Sequence, residues 1–490
     1  MRRLAILLAA AGFITSACGG PAPATVTFIH FNDVYEISPI EAGRVGGLAR
    51  VATRISEMRR DKSPLLVTLG GDYLSPSALG TARVNGEPIG GEQMVDVLNA
   101  TGLQFAALGN HEFDLPEEAF RARLQQSAFR IIATNVTDDS GTPFENTEPH
   151  AVIELQVAGY PRRVGLLGLT IASNRRAWVR YDDPIAAARR AITAMGRVDA
   201  IVALTHQSLL EDEALVNAVP AISLVLGGHE HENWVLRRGV HLTPIVKADA
   251  NVRSIAVVRM TFSDGDGRPE VDADFDAITD AIAADSTVDA KVGEWTRLAY
   301  DAFRRDGFEP DRVVAALTET LDGRESTVRN FEGALTALLT EAFARATAPV
   351  DVALMNGGSI RIDDELLPGR MREYDVIRIL PFGGSLMTAS MAGSLLARVL
   401  DVGQQNRGTG GFLHAWGADR RQGRWHVDGR PINPATKYRV VLTDWLLSGR
   451  EVNLAFLTAA HPLISNVETH GDIRQAVIAE LQRRFPASVE

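Results

Sequence analysis

Five short apolar runs in the first half of the chain each end in side chains that can hold a metal ion or move a proton. VTFIHF is followed by Asn32 and Asp33, PLLVTL by Gly70, Gly71 and Asp72, and FAAL by Gly109, Asn110, His111, Glu112 and, two residues on, Asp114. IVALT runs into His206, and ISLVLGG into His229 and His231. Carboxylates, imidazoles and an amide form a donor set suited to first-row transition metals. A single His or Asp after a strand is ordinarily a turn or capping residue. Five such strand ends in succession point to a shared site, because ligands of an α/β sheet bind in the crevice beyond the carboxyl ends of its strands. The glycines of GGD, GNHE and GGHEH let the backbone turn sharply and approach an ion.

These runs alternate with amphipathic stretches such as GGLARVATRISEMRR, EQMVDVLNA, PEEAFRARLQQ and DPIAAARRAITAMGR. The alternation predicts an α/β fold in which helices cover the faces of a buried sheet. From residue 264 the chain turns acidic and alanine-rich, and VGEWTRLAYDAFRR then takes helical spacing, as a domain-linking helix would. A second α/β pattern follows, with strands at VDVALMN, SLMTASMA and YRVVLT and helices at ALTALLTEAFARA and GSLLARVLDVG. A length of 490 residues with 46% hydrophobic content suits two cores rather than one. The expected organisation is a leader and tether over 1–24, a first domain over 25–265, a linker over 266–310 and a second domain over 311–490.

The net charge of −11 argues against a protein that tracks a nucleic-acid backbone, so any anionic ligand must be held locally. The N-terminus, MRRLAILLAAAGFITSACGG, has the charged, apolar and small-residue regions of an export signal, and its apolar stretch is too short to span a bilayer comfortably. Cys18 is the only cysteine, which removes disulfides and thiolate metal clusters together. TSAC resembles a bacterial lipoprotein processing site, which implies acylation at Cys18, a GGPAPAT tether and a periplasm-facing location on the cell envelope.

Taken in order, ND, GGD, GNHEFD, LTH and GGHEH resemble the calcineurin-like metallophosphoesterases. NGGSIR, LPFGG and GTGGFLH in the second half resemble the secreted 5′-nucleotidase and UDP-sugar hydrolase branch. The resemblance implies a metallophosphoesterase β-sandwich flanked by helices, a helical linker and a C-terminal α/β nucleotidase domain. It assigns one metal to Asp33, Asp72 and His231 and a second to Asp72, Asn110, His206 and His229. Two divalent ions (Mn, Zn, Co or Fe) would then be bridged by Asp72. His111 would stabilise charge on the phosphoryl or leaving oxygen, and Asp114 would orient its ring. Glu112 is left without a role. The family pattern NDxH reads Asn32, Asp33, Val34, Tyr35 here, and water or a loose contact is expected in place of the missing histidine, with a Tyr35 phenolate as the alternative.

In the second half the resemblance implies a base clamp of Phe412 and Trp445, Glu451 towards the ribose hydroxyls, and Asn356 and Arg361 on the loop that meets the phosphate. The implied activity is release of phosphate from nucleoside 5′-monophosphates by a metal-activated hydroxide. Nucleotide-sugar hydrolysis, 2′,3′-cyclic nucleotide phosphodiesterase with 3′-nucleotidase action, and sulfur-ester hydrolysis remain open within the enzyme class. A lipoprotein that binds metal or nucleotide at a decayed site is the non-enzymatic alternative, with no nucleic-acid polymer as partner.

Overall fold

The computed structural model describes residues 24–61, 63–263 and 267–487, so the leader and Cys18 lie outside the described residues. The first half forms two sheets packed face to face. A seven-stranded sheet runs in the order Glu270–Ala277, Ser254–Phe262, Ala24–Phe31, Leu65–Leu69, Phe105–Ala107, Arg130–Ile132, Thr147–Glu148. A six-stranded sheet runs Trp234–Arg238, Thr243–Lys247, Leu224–Gly227, Ala200–His206, Tyr160–Thr170, Ala151–Val157. Phe28, Leu66 and Ala107 from one sheet and Leu166, Val202, Leu204 and Leu226 from the other are buried in one cluster between them. Helices Leu48–Arg59 and Glu92–Thr101 cover the outer face of the first sheet, and Pro184–Met195 and Leu209–Ala218 that of the second.

The two sheets form the β-sandwich that the resemblance implies, whereas the strand pattern alone suggests one buried sheet for all five metal-bearing runs. Instead, Ala24–Phe31, Leu65–Leu69 and Phe105–Ala107 pair in parallel in the first sheet, whereas Ala200–His206 and Leu224–Gly227 pair in parallel in the second. Buried parallel strands are continuously apolar whichever sheet they join, so sequence pattern alone does not separate them. A ring nitrogen of the buried His30 lies 3.0 Å from Gly227 O and ties the two sheets together at the end where the ligand-bearing loops emerge.

The acidic stretch after residue 264 also differs from expectation. Glu270–Ala277 is an edge strand, antiparallel to Ser254–Phe262, that buries Val271 while its acidic residues mostly face solvent. The helix begins only at Ser286, where Asp285 accepts hydrogen bonds from the backbone N–H groups of Thr287 and Val288, and it runs to Arg305. It lies against the first half, with Lys291 and Trp295 both bonded to Asp96. Val292 and Phe303 on this helix belong to an apolar cluster that continues into Leu335 and Phe343 of the second half.

That second half is built on a five-stranded sheet in the order Leu413–Trp416, Val352–Asn356, Lys437–Thr443, Ser385–Ala392, Ile464–Asp472. Helices Ala334–Ala346 and Ile473–Arg484 pack on one face, and Gly393–Gln405 packs on the other. Buried polar contacts join the two halves: Glu36 accepts from Tyr374 Oη at 3.0 Å and from Arg378 Nε at 3.3 Å, and Arg253 pairs with both Glu41 and Asp364. Among the described residues no helix is long and apolar enough to cross a membrane.

Candidate metal centre and active site

At the carboxyl ends of the two inner sheets, the strand-end side chains meet. Carboxylate oxygens of Asp33 and Asp72 and a ring nitrogen of His206 all lie within 4.8 Å of one another. His206 Nε2 is 3.1 Å from Asp72 Oδ2, and His231 Nε2 is 3.1 Å from Asp33 Oδ1. His229 stands beside His206 with ring centroids 5.3 Å apart, and its backbone N–H donates to Asp33 Oδ2 at 2.9 Å. Asn110 follows strand Phe105–Ala107 and immediately precedes the short helical turn His111–Asp114.

Two close approaches let this convergence happen. A Cβ on Gly109 would stand 2.1 Å from Asp72 Oδ1, and one on Gly228 would stand 2.7 Å from Gly70 O and 2.9 Å from Asp33 Oδ2. Any side chain at either position would push the carboxylates apart. Asp33, Asp72, His229 and His231 all adopt positive φ, a costly conformation for non-glycine residues that persists where surrounding structure enforces it.

Outer contacts fix which histidine nitrogen faces the cluster. Gly70 O accepts from His206 Nδ1 at 2.7 Å, and Asp363 Oδ2 accepts from His231 Nδ1 at 2.5 Å, so both Nε2 atoms point inward at the cluster. Burial alone would lower the His206 pKa, yet Asp72 and then Asp33 push it up to about 9. The two carboxylates thus make the centre a strong attractor of positive charge.

Several residues that the sequence reading passed over hold this geometry. Glu112 is fully buried and accepts from the N–H groups of Asp72, Tyr73, Leu74 and Gly109, clamping the GGD and GNHE turns together. Burial and the Asp72 charge push its pKa up to about 7 against those donors. The buried Lys247 donates to Gln207 O and Gly228 O and pairs with Asp212 and Glu230, which joins the His206 loop to the His229–His231 loop. His111 Nδ1 donates to Asp114 Oδ2 at 2.6 Å, and Asn174 and Arg176 hold the other oxygen of Asp114. Burial raises the Asp114 pKa, but His111, Arg361 and Asn174 bring it below the ordinary carboxylate value. A cavity of ≈ 470 Å³ elsewhere, lined by Arg237, His241, Arg259 and Arg268, shares no residue with this centre.

The second half contributes to the same place. Its loop after strand Val352–Asn356 brings Asp363 onto His231 and holds Arg361 3.7 Å from Glu325, with its guanidinium 5.8 Å from the Phe382 ring centre. A cavity of ≈ 190 Å³ lies between His229, His231 and Arg253 on one side and Arg324, Glu325 and Asp363 on the other. Asn356 Nδ2 and Trp445 Nε1 both donate to Glu451 Oε2, at 2.7 and 3.2 Å. Phe412 is only 3% exposed and carries the Arg407 guanidinium 5.1 Å from its ring centre, whereas Trp445 is 44% exposed.

With this geometry in view, residues 26–233 match the family model for calcineurin-like phosphoesterase, and residues 313–458 match that for the 5′-nucleotidase C-terminal domain. The chain belongs to the 5′-nucleotidase family of calcineurin-like metallophosphoesterases. A 5′-nucleotidase of Bos taurus is 23% identical over 87% of this chain and 83% of its own length, and a snake venom 5′-nucleotidase of Naja atra is 24% identical over 80% of each. Among solved structures, a 5′-nucleotidase precursor from Thermus thermophilus superposes with a TM-score of 0.75 at 23% identity, covering 94% of this chain and 96% of its own. A sulfate thiohydrolase from the same species, SoxB, superposes at 0.70 with 17% identity and covers 95% of each chain.

As a member of this family the protein is a metal-dependent phosphoric ester hydrolase that uses two divalent ions. The donor set fits such a group on its own chemistry, since Asn110 Oδ1 is a buried acceptor atom with no hydrogen-bond partner and Asp33 and Asp72 are buried carboxylates. An unpaired acceptor beside two carboxylates is costly unless a cation sits among them. Asp363→Asn is expected to weaken metal binding by about 10–100-fold, the usual effect of losing an outer carboxylate partner. Calorimetric titration of the metal-free protein checks this, and unchanged affinity would remove Asp363 from the centre.

Proposed function

We propose that the protein releases phosphate from nucleoside 5′-monophosphates. The observation that carries this reading is the meeting of the two halves at one site, where Asp363 of the second half bonds to His231 and Arg324 and Glu325 line one cavity with His229 and His231. One ion is assigned to Asp33, Asp72 and His231 and the other to Asp72, Asn110, His206 and His229. When bound, the two ions supply activation of water as a nucleophile and Lewis-acid stabilisation of charge on the phosphoryl oxygens.

The remaining work falls to side chains. Arg361 offers a planar fork of N–H donors to a phosphate. His111, with Nδ1 on Asp114, presents Nε2 to the phosphoryl or leaving oxygen, and Asn174 and Arg176 keep Asp114 turned towards it. Glu451 accepts from Asn356 and Trp445 at Oε2 and from the Val452 N–H at Oε1, and the remaining lone pair of Oε1 can take a ribose hydroxyl. A base stacked on Phe412 takes the place of Arg407 over that ring. Stacking of about 1–3 kcal/mol per base is of the same order as the roughly 2 kcal/mol of a desolvated cation–π contact, so the exchange costs little.

Export and membrane attachment through an acylated Cys18 rest on residues 1–18 alone. Incorporation of labelled fatty acid by the wild type and not by Cys18→Ser checks the anchor, and labelling of neither would refute it. The activity is tested by phosphate release from mononucleotides, nucleotide sugars, 2′,3′-cyclic nucleotides and p-nitrophenyl phosphate. Mononucleotides are expected to have the highest kcat/KM. Phe412→Ala should erase that preference while sparing p-nitrophenyl phosphate, and His111→Asn should lower kcat on every substrate by about 10²–10⁴ with metal content unchanged. A preference for cyclic or sugar-linked substrates, or equal losses in Phe412→Ala, would contradict the assignment.

A further inference from the structure

The position that carries a histidine in the family pattern carries Tyr35 here, and its side chain does not turn away. Tyr35 is 5% exposed, and the N–H groups of Tyr35 and Glu36 both donate to Asn251 Oδ1, at 2.9 and 3.2 Å, which fixes the turn that aims the ring. The ring stands edge-on to His231, with centroids 5.6 Å apart. Its hydroxyl oxygen reaches three of the assigned ligand atoms at once: Asp33 Oδ1 at 3.2 Å, Asp72 Oδ2 at 3.4 Å and His231 Nε2 at 3.1 Å.

These distances discriminate between a plug and a ligand. Donor atoms that share one cation at about 2.0–2.2 Å must stand roughly 2.8–3.6 Å apart, from neighbouring octahedral corners at the short end to tetrahedral corners at the long end. The three Tyr35 contacts fall in that window, as does the 3.1 Å separation of His231 Nε2 and Asp33 Oδ1. A phenol that merely filled the space would settle on one carboxylate at about 2.7 Å, the usual O–H···O length. Here neither carboxylate contact is shorter than 3.2 Å, and the oxygen is shared among three neighbours.

We propose that the phenolic oxygen of Tyr35 is the fourth protein ligand of the first metal position, giving it the set Asp33, Tyr35, Asp72 and His231. The inference rests on the reading of the cluster as a two-metal centre. On binding, the Tyr35 O–H bond breaks, its proton passes to solvent and an oxygen–metal bond forms, with no change of oxidation state. The first position then has three anionic oxygens and one nitrogen, whereas the second has the shared Asp72 with neutral Asn110, His206 and His229. Such a set favours hard cations, manganese or iron over zinc, at the first position.

The test loads the metal-free full chain with ferric iron and reads its visible spectrum against its iron content. Wild type should develop a phenolate-to-iron charge-transfer band as iron binds. Tyr35→Phe should lack the band, keep iron at the second position, and bind its first-position ion more weakly by at least the roughly tenfold that even an outer partner's loss costs. Tyr35→His should bind zinc at both positions and also show no band, so a folding defect in the Phe variant would not hide the result. Two irons bound without a band, or a band that survives in Tyr35→Phe, would overturn the proposal while leaving the two-metal reading intact. Failure of the wild type to bind any metal would overturn both.

Discussion

Two carboxylates, Asp33 and Asp72, are buried at adjoining strand ends within reach of the same imidazole. Like charges in a desolvated site repel, and each is costly to bury without a compensating charge. The rest of the centre follows from this demand for positive charge. In the metal-free protein His206 meets part of it, and its pKa rises despite burial; that of His231 also rises, through Asp363 first and Asp33 second. The unpaired acceptor at Asn110 Oδ1 marks where further positive charge belongs.

Holding such an arrangement requires a stiff support, and two interlocking sheets provide it. Backbone approaches at Gly109 and Gly228, left-handed φ at four ligand-bearing residues, the Glu112 clamp and the Lys247 tie all oppose relaxation of the loops. The second half adds Asp363 and Arg361 from a single loop, so the partner of His231 and the arginine proposed to meet the phosphate are set by one piece of backbone. Buried ionic contacts of Glu36 with Arg378 and of Arg253 with Asp364 keep that loop against the strand ends.

Much of this was legible in the sequence because the chemistry sits where strand patterns stop. Runs such as VTFIHF and PLLVTL identify themselves by composition, and the polar residue that follows each one identifies the loop. What was not legible depended on distance or on partners. Nothing local distinguishes the sheet of FAAL from the sheet of ISLVL. EVDADFDA looks like linker because its acidic face is the one exposed at a sheet edge. Lys247 ends an apolar strand and reads as a surface charge until Asp212 and Glu230 are seen to surround it. Asp363 meets His231 across 132 residues of chain, and no spacing rule reaches that far. Tyr35 was visible as a departure from pattern, but its direction could come only from coordinates.

Anomalous diffraction from crystals of the metal-loaded protein addresses the central claim most directly. Two peaks are expected roughly 3.5–4 Å apart, the spacing of two-metal hydrolytic sites, with Asp72 between them and Asn110, His206 and His229 around one. A single peak, or peaks away from these side chains, would contradict it.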